Sequence, residues 1–258
     1  MRSVAVVRLY TGSQSAVERA AAERIAASLH SARRRSRRVS LALPGGRSIA
    51  GVLRLLVWLN VPWPDTVVLP ADERCLPDDH GERNWKIIRR ELLQPLMRSG
   101  AIQPHNGHPF HYRPELADWG VGEFSRSLDL PSTPEGTTHI DVAVLGAGED
   151  GHVASLFPGS PVLTSASRGF VQISDSPKPP PRRISLSPAM IRACGSVILL
   201  FLGESKRTAA RAFADNSVTA ETCPAVLVRA AARAWVFADR GACPGDGNWS
   251  NATVVDRR

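Results

Sequence analysis

The chain has 258 residues, 43% hydrophobic and 22% charged, with a formal net charge of +8 at pH 7. That is ordinary globular composition at a length close to the upper size for one hydrophobic core, so a single α/β domain over 1–258 is expected, although two tightly fused lobes also fit. No run reaches the ~18 apolar residues of a membrane span, and the N-terminal MRSVAVVRLYTGS turns polar too soon for a secretory leader. Cys75, Cys194, Cys223 and Cys243 show neither C-x-x-C nor Cys/His ligand spacing, which excludes a disulfide framework or zinc site and points to a cytoplasmic protein with reduced thiols. The positive charge suits either nucleic-acid binding or attraction of phosphorylated substrates, and only its placement separates the two.

In chain order, residues 4–9 form a first strand at a sheet edge. Residues 15–32 form an alanine-rich helix with Val17, Ala21, Ile25 and Leu29 on one face. The arginine run at 33–38 ends this helix, where cations complement the helix dipole and face water. No recognised nucleic-acid motif accompanies it, so nucleic acid is not the expected partner.

Residues 39–43 read as a short buried strand, followed by the turn Pro44-Gly45-Gly46-Arg47-Ser48 and a helix over 49–59. That layout offers backbone N–H groups and a helix start to an anion. The same turn is one residue away from a G-x-S-x-G nucleophile elbow, but too few strands precede it for that fold, and Ser48 is read as a loop hydroxyl.

Residues 66–69 form the next strand and lead into Asp72-Glu73-Arg74, three adjacent charges that need water or a ligand. A helix over 85–97 follows, with Ile88, Leu92 and Leu96 on one face. Residues 103–138 read as loops around one helix near 116–128. His105, His108 and His111 lie there at a spacing that metals can use, but on a loop with no carboxylate of known geometry, so no metal is expected.

The stretch 140–161, IDVAVLGAGEDGHVASLFPGSP, is the most informative. A buried strand empties into a glycine-rich turn in which Asp150 supplies an acceptor and His152 a titratable base. Gly146, Gly148 and Gly151 also match the dinucleotide fingerprint G-x-G-x-x-G, with a possible second strand at 170–174 ahead of Asp175. The required crossover helix is missing, because only 152–157 precede the proline-broken 158–161. Further on, Lys178, Arg182 and Arg183 sit on a proline-rich segment that reads either as a stiff clamp for a dianion or as a polyproline spacer. A short helix at 187–193, a strand at 197–202, a helix opened by 203–206 and running to Phe213, a β region at 234–238 and a polar tail complete the chain.

Residues 146–159 resemble the GxGxDGHxASLFPG-like signature of the 6-phosphogluconolactonase family. Asp72-Glu73-Arg74 is similar to its DER motif, residues 176–186 to its KPPPxRIS-like segment, and residues 203–206 to its GExK segment. The glycine turn keeps Gly45 and Gly46 of an SGGSTP-like motif but surrounds them with Pro44, Arg47, Ser48 and Ile49. Glucosamine-6-phosphate deaminases share the DGH but carry Asn-Glu-Pro where this chain has Leu156-Phe157-Pro158.

The resemblance implies a three-layer, modified Rossmann-like α/β fold with a mostly parallel sheet. It also implies hydrolysis of 6-phospho-D-glucono-1,5-lactone with no cofactor. His152 would act as base, Asp72 or Asp150 would orient it, and Gly45, Gly46, Arg47, Ser48, Arg74, Lys178 and Arg183 would bind substrate and phosphate. A same-fold isomerase or deaminase and a non-catalytic sugar-phosphate sensor are the alternatives.

Overall fold

The computed structural model describes residues 7–128, 130, 139–243 and 252–257, with backbone alone for Arg47 and 252–257. Expectations for residues 4–6, 129 and 131–138 lie outside the described residues.

The apolar runs become seven parallel strands in the order β10-β1-β9-β8-β5-β2-β3: β1 Val7–Gly12, β2 Val39–Leu43, β3 Thr66–Pro70, β5 Val142–Gly146, β8 Ser196–Phe201, β9 Ala234–Asp239 and β10 Ala252–Arg257. Parallel strands are covered on both faces, which is why β2, β3 and β8 are buried at every position. One face packs on α1 (Gln14–Arg33), α2 (Ala50–Leu56), α3 (Asn84–Ile88) and α4 (Gln94–Arg98) through Ile25, Leu53, Ile88 and Leu96. The other packs on α5 (Val121–Ser127), α6 (Pro188–Ala193) and α7 (Arg207–Ala214) through Phe124, Met190 and Phe213. The result is the three-layer α/β fold expected.

A second, antiparallel sheet, β4-β7-β6, was not anticipated. It joins Asp72–Arg74 (β4) to Arg183–Leu186 (β7) and Phe170–Ile173 (β6), with Asp72 opposite Ser185 and Arg74 opposite Arg183. Because β6 pairs antiparallel with β7 and has no place in the parallel sheet beside β5, the dinucleotide-fold reading of 146–151 is removed.

Other boundaries shift for identifiable reasons. β1 lies inside the sheet between β9 and β10, and the polar tail supplies the edge strand β10. The helix at 49–59 is a 3₁₀ turn, Arg47–Ile49, followed by the shorter α2. The helix at 85–97 contains a π turn, Arg89–Leu93. Pro95, just beyond it, has no N–H to give and would crowd the carbonyl of residue 91, so the wider turn absorbs the misfit.

Adjacent strands β2 and β5 continue to opposite sides of the sheet, β2 to β3 and β5 to β8, so their C-terminal ends form a topological switch point. Glu73 in β4 fixes the chain beside it. Its fully buried carboxylate accepts backbone N–H groups from Arg74 (2.8 Å), Asn84 (2.7 Å) and Trp85 (2.9 Å), and lies 3.5 Å from the buried Arg83 Nε. Burial raises the Glu73 carboxyl, while Arg83 and the three N–H donors oppose that. Glu73→Ala strands these donors and a buried guanidinium, and should destabilise the fold by about 3–5 kcal/mol in urea unfolding; a loss under about 1 kcal/mol would show that the donors find water instead.

Candidate active site

The turn after β5 folds back on itself. Ala147 bridges Val153, Gly148 N–H donates to the His152 carbonyl at 2.8 Å, and Gly151 N–H donates to the Gly148 carbonyl at 3.2 Å. This returns the His152 ring over Gly148, where a Cβ would stand 2.0 Å from His152 Nδ1. Only glycine permits that approach. His152 Nδ1 lies 2.5 Å from Asp150 Oδ1, and its ring centroid lies 4.6 Å from that of the buried Phe157. Burial pushes the Asp150 carboxyl up, but the hydrogen bonds and charge of His152, with Lys178 nearby, outweigh it and hold the group well below the usual carboxylate range. An ionised Asp150 therefore fixes the imidazole, and Nε2 makes no hydrogen bond among the described residues.

The ring lines a cleft of about 200 Å³ at the switch point. Its lining includes Gly45, Gly46 and Ser48 of the turn after β2, Gly146 to Gly148 at the end of β5, and Asp72, Asn84, Arg74, Arg183 and Lys206. At Gly45 a Cβ would meet Asn84 Oδ1 at 2.0 Å, so the glycine admits the asparagine. Asn84 Nδ2 donates to the Asp72 carbonyl (2.8 Å) and to Oδ1 (3.1 Å), and Ser155 Oγ donates to Asp72 Oδ2 at 2.7 Å. Asp72 is thereby held by the asparagine and the serine, and of the two acids it is Asp150 that contacts His152.

Three cationic side chains among the described residues line the cleft and differ in how they are fixed. Arg183 is 5% exposed and donates from Nε to the Pro180 carbonyl (3.1 Å) and from Nη2 to the carbonyls of Lys178 and Pro179 (both 3.0 Å). Burial, together with Arg74, lowers its guanidinium from the ordinary value, against Asp72, Glu73 and Glu82. Arg74 donates from Nη1 to the Glu82 carbonyl. Lys206, at the end of the 3₁₀ turn Glu204–Lys206 after β8, makes no ion pair among the described residues.

Of the residues named from sequence, His152, Asp72, Gly45, Gly46, Ser48, Arg74 and Arg183 meet at this cleft, with Asp150 behind His152. Lys178 does not line it; its Nζ lies 3.7 Å from Glu149 and 3.8 Å from Asp150. The backbone of Arg47 belongs to the same turn, and its side chain lies outside the described residues. Ser48 makes no hydrogen bond to His152, so it lacks the base that an elbow nucleophile requires. Sequence reasoning left Asn84 and Lys206 off the site. The signal for Lys206 was present, because Gly203-Glu204-Ser205-Lys206 directly follows a buried strand and starts a helix. Among the described residues no group of three His, Cys, Asp or Glu side chains could hold a metal, and His111 pairs with Asp78 at 2.5 Å.

A histidine–aspartate pair beside a cation-lined cleft at the switch point of a parallel sheet defines the class of α/β protein. The chain belongs to the family described as glucosamine-6-phosphate isomerases/6-phosphogluconolactonase, which matches residues 12–237. A 6-phosphogluconolactonase of Mycobacterium leprae is 31% identical over 254 residues, covering 92% of this chain and 97% of its own, and one of Streptomyces coelicolor is 33% identical over 231 residues, covering 86% and 88%. A solved 6-phosphogluconolactonase from Shewanella baltica superposes with a TM-score of 0.73 at 27% identity, covering 91% of this chain and 97% of its own.

The contact at Gly148 yields a test. Gly148→Ala places a methyl group where Nδ1 now sits and separates His152 from Asp150. Turnover on the natural substrate should fall by about 10²-fold or more, with the melting temperature little changed. Unchanged turnover would mean that the ring position is immaterial.

Proposed function

We propose that the protein hydrolyses 6-phospho-D-glucono-1,5-lactone to 6-phospho-D-gluconate, a step of the pentose phosphate pathway. One observation carries the reading: an imidazole held by the Asp150 carboxylate opens onto a cleft that three cationic side chains among the described residues line. His152 Nε2 takes a proton from water as that water attacks the lactone carbonyl. The imidazolium, stabilised by Asp150, returns the proton to the ring oxygen as the C–O bond breaks. Arg74, Arg183 and Lys206 share the phosphate dianion and the developing oxyanion. No step needs a covalent intermediate or a cofactor.

The deaminase alternative requires an acid a few residues beyond the histidine. Here Leu156 and Phe157 occupy that place and are buried, which favours the lactonase. Two apolar cores flanking one parallel sheet support a single domain. No helix among the described residues is long and apolar enough to cross a membrane, and we assign the protein to the cytoplasm.

Lactones also open spontaneously, so activity is read as acid release above the uncatalysed rate with freshly generated substrate. His152→Gln should lose about 10²–10⁴ in kcat while 6-phosphogluconate still binds. Ser48→Ala should act mainly on KM; a loss in kcat as large as that of His152→Gln would revive the serine-nucleophile reading.

Phosphate recognition is tested separately from the bulk charge. Arg74→Ala and Lys206→Ala should each weaken 6-phosphogluconate by about tenfold or more, because charge-assisted contacts contribute roughly 1.5–3 kcal/mol. Neutralising Arg34, Arg35, Arg37 and Arg38 should leave it nearly intact, since exposed charges act through a screened field. The opposite pattern, with steep salt dependence set by the arginine run, would indicate nucleic-acid binding.

A further inference from the structure

A second cavity, of about 360 Å³, lies between α1 and the β1–β9 end of the sheet and shares no lining residue with the catalytic cleft. Three rings wall it. Tyr10 and Phe237 are register partners with centroids 5.8 Å apart, and Trp235 stands opposite Arg8 in the pair before Leu9 and Val236. The Arg24 guanidinium, from α1, lies 3.6 Å from the centroid of the Trp235 ring, and that of Arg8 lies 4.9 Å away. Neither arginine forms an ion pair among the described residues.

Guanidinium groups lie close together here. Burial and the adjacent Arg8 lower the Arg24 guanidinium; burial, Arg35 and Arg8 lower that of Arg233, which directly precedes β9. Arg8 and Arg24 therefore repel each other over the Trp235 ring, Arg8 also acts on Arg233, and Glu23 is the one carboxylate among the described residues that line the cavity. An apolar aromatic wall with a few convergent polar groups is the usual composition of a small-molecule site.

We propose that this cavity is a second ligand site, for a nucleoside phosphate. The base lies against the aromatic wall, the phosphates relieve the repulsion between Arg8 and Arg24, and Glu23 accepts from a ribose hydroxyl or an exocyclic amino group. Each part of the cavity excludes a simpler occupant. Inorganic phosphate leaves the rings unused, and a fatty acid leaves Glu23 facing an apolar chain or a second carboxylate. A continuous nucleic-acid strand needs an open track, whereas α1 closes one side here through Ala20, Glu23, Arg24 and Ala27.

The test is calorimetric titration of the full chain with ADP at low salt, in the presence of saturating 6-phosphogluconate so that the cleft is filled. ADP should bind, and pyrophosphate and adenosine should each bind at least about tenfold more weakly, because each lacks half of the recognised chemistry. Arg24→Gln should weaken ADP by about tenfold or more, and Tyr10→Ala should weaken it as well. Thermal melts verify that both variants are folded, and their lactone turnover without ADP should match the parent. The proposal is overturned if ADP does not bind at millimolar concentration, or if 6-phosphogluconate displaces it. It is equally overturned if pyrophosphate binds as tightly as ADP, if folded Arg24→Gln and Tyr10→Ala retain full ADP affinity, or if a twelve-residue oligothymidylate binds more tightly than ADP with a steep salt dependence.

Discussion

Two adjacent buried carboxylates, Asp72 and Glu73, must find donors away from water, and the loops of the site supply them. Glu73 takes three backbone N–H groups from β4 and the start of α3, so the loop between those elements closes onto β4. Asp72 takes Ser155 from the turn after β5 and Asn84 from α3, and Asn84 in turn presses against Gly45 of the turn after β2. A buried carboxylate left without donors loses several kcal/mol, so each of these segments is held by the satisfaction of the same pair. His152 gains a fixed position because its turn is tied to the antiparallel sheet through Ser155.

This arrangement also distributes the site's charge. Arg183 and Arg74 face one another across β7 and β4, a like-charge contact tolerated because Asp72, Glu73 and Glu82 lie close by. The arginines are held by backbone carbonyls, Arg183 by the proline segment and Arg74 by Glu82, so their geometry does not await the substrate. Lys206 makes no such side-chain contact among the described residues. In the proposed reaction the two arginines and Lys206 together would grip the phosphate dianion and the carbonyl oxygen as it gains charge.

Much of this was legible in the sequence, and the exceptions have physical causes. The buried parallel strands announce themselves as apolar runs, and the DGH turn by glycines beside chemistry-bearing side chains. Asp72-Glu73-Arg74 was readable as a site but not as a strand, because charged residues mimic a loop unless their donors are known, and those donors lie 12 and 83 residues away. Lys178 drew attention through the stiff prolines around it, yet the carbonyls of that segment serve to hold Arg183 while its lysine turns toward Glu149 and Asp150. Lys206, in a plainer setting, reaches the cleft. β10 escaped notice because one short strand paired on one side has too few apolar residues to stand apart from a tail.

The position of β1 has a consequence for how the chain is made. Its two sheet neighbours, β9 and β10, both come from the C-terminal end of the sequence, while α1 and β2 directly follow it. At translation rates of about 5–20 residues per second, β1 leaves the ribosome roughly ten seconds or more before either partner does. Through that interval its backbone N–H and C=O groups have no sheet partner and form a ready template for another chain. Helix α1 can cover one face of the waiting strand, but closure of this end of the sheet is a late, long-range event, which slows folding and makes the nascent chain depend on whatever shields that strand.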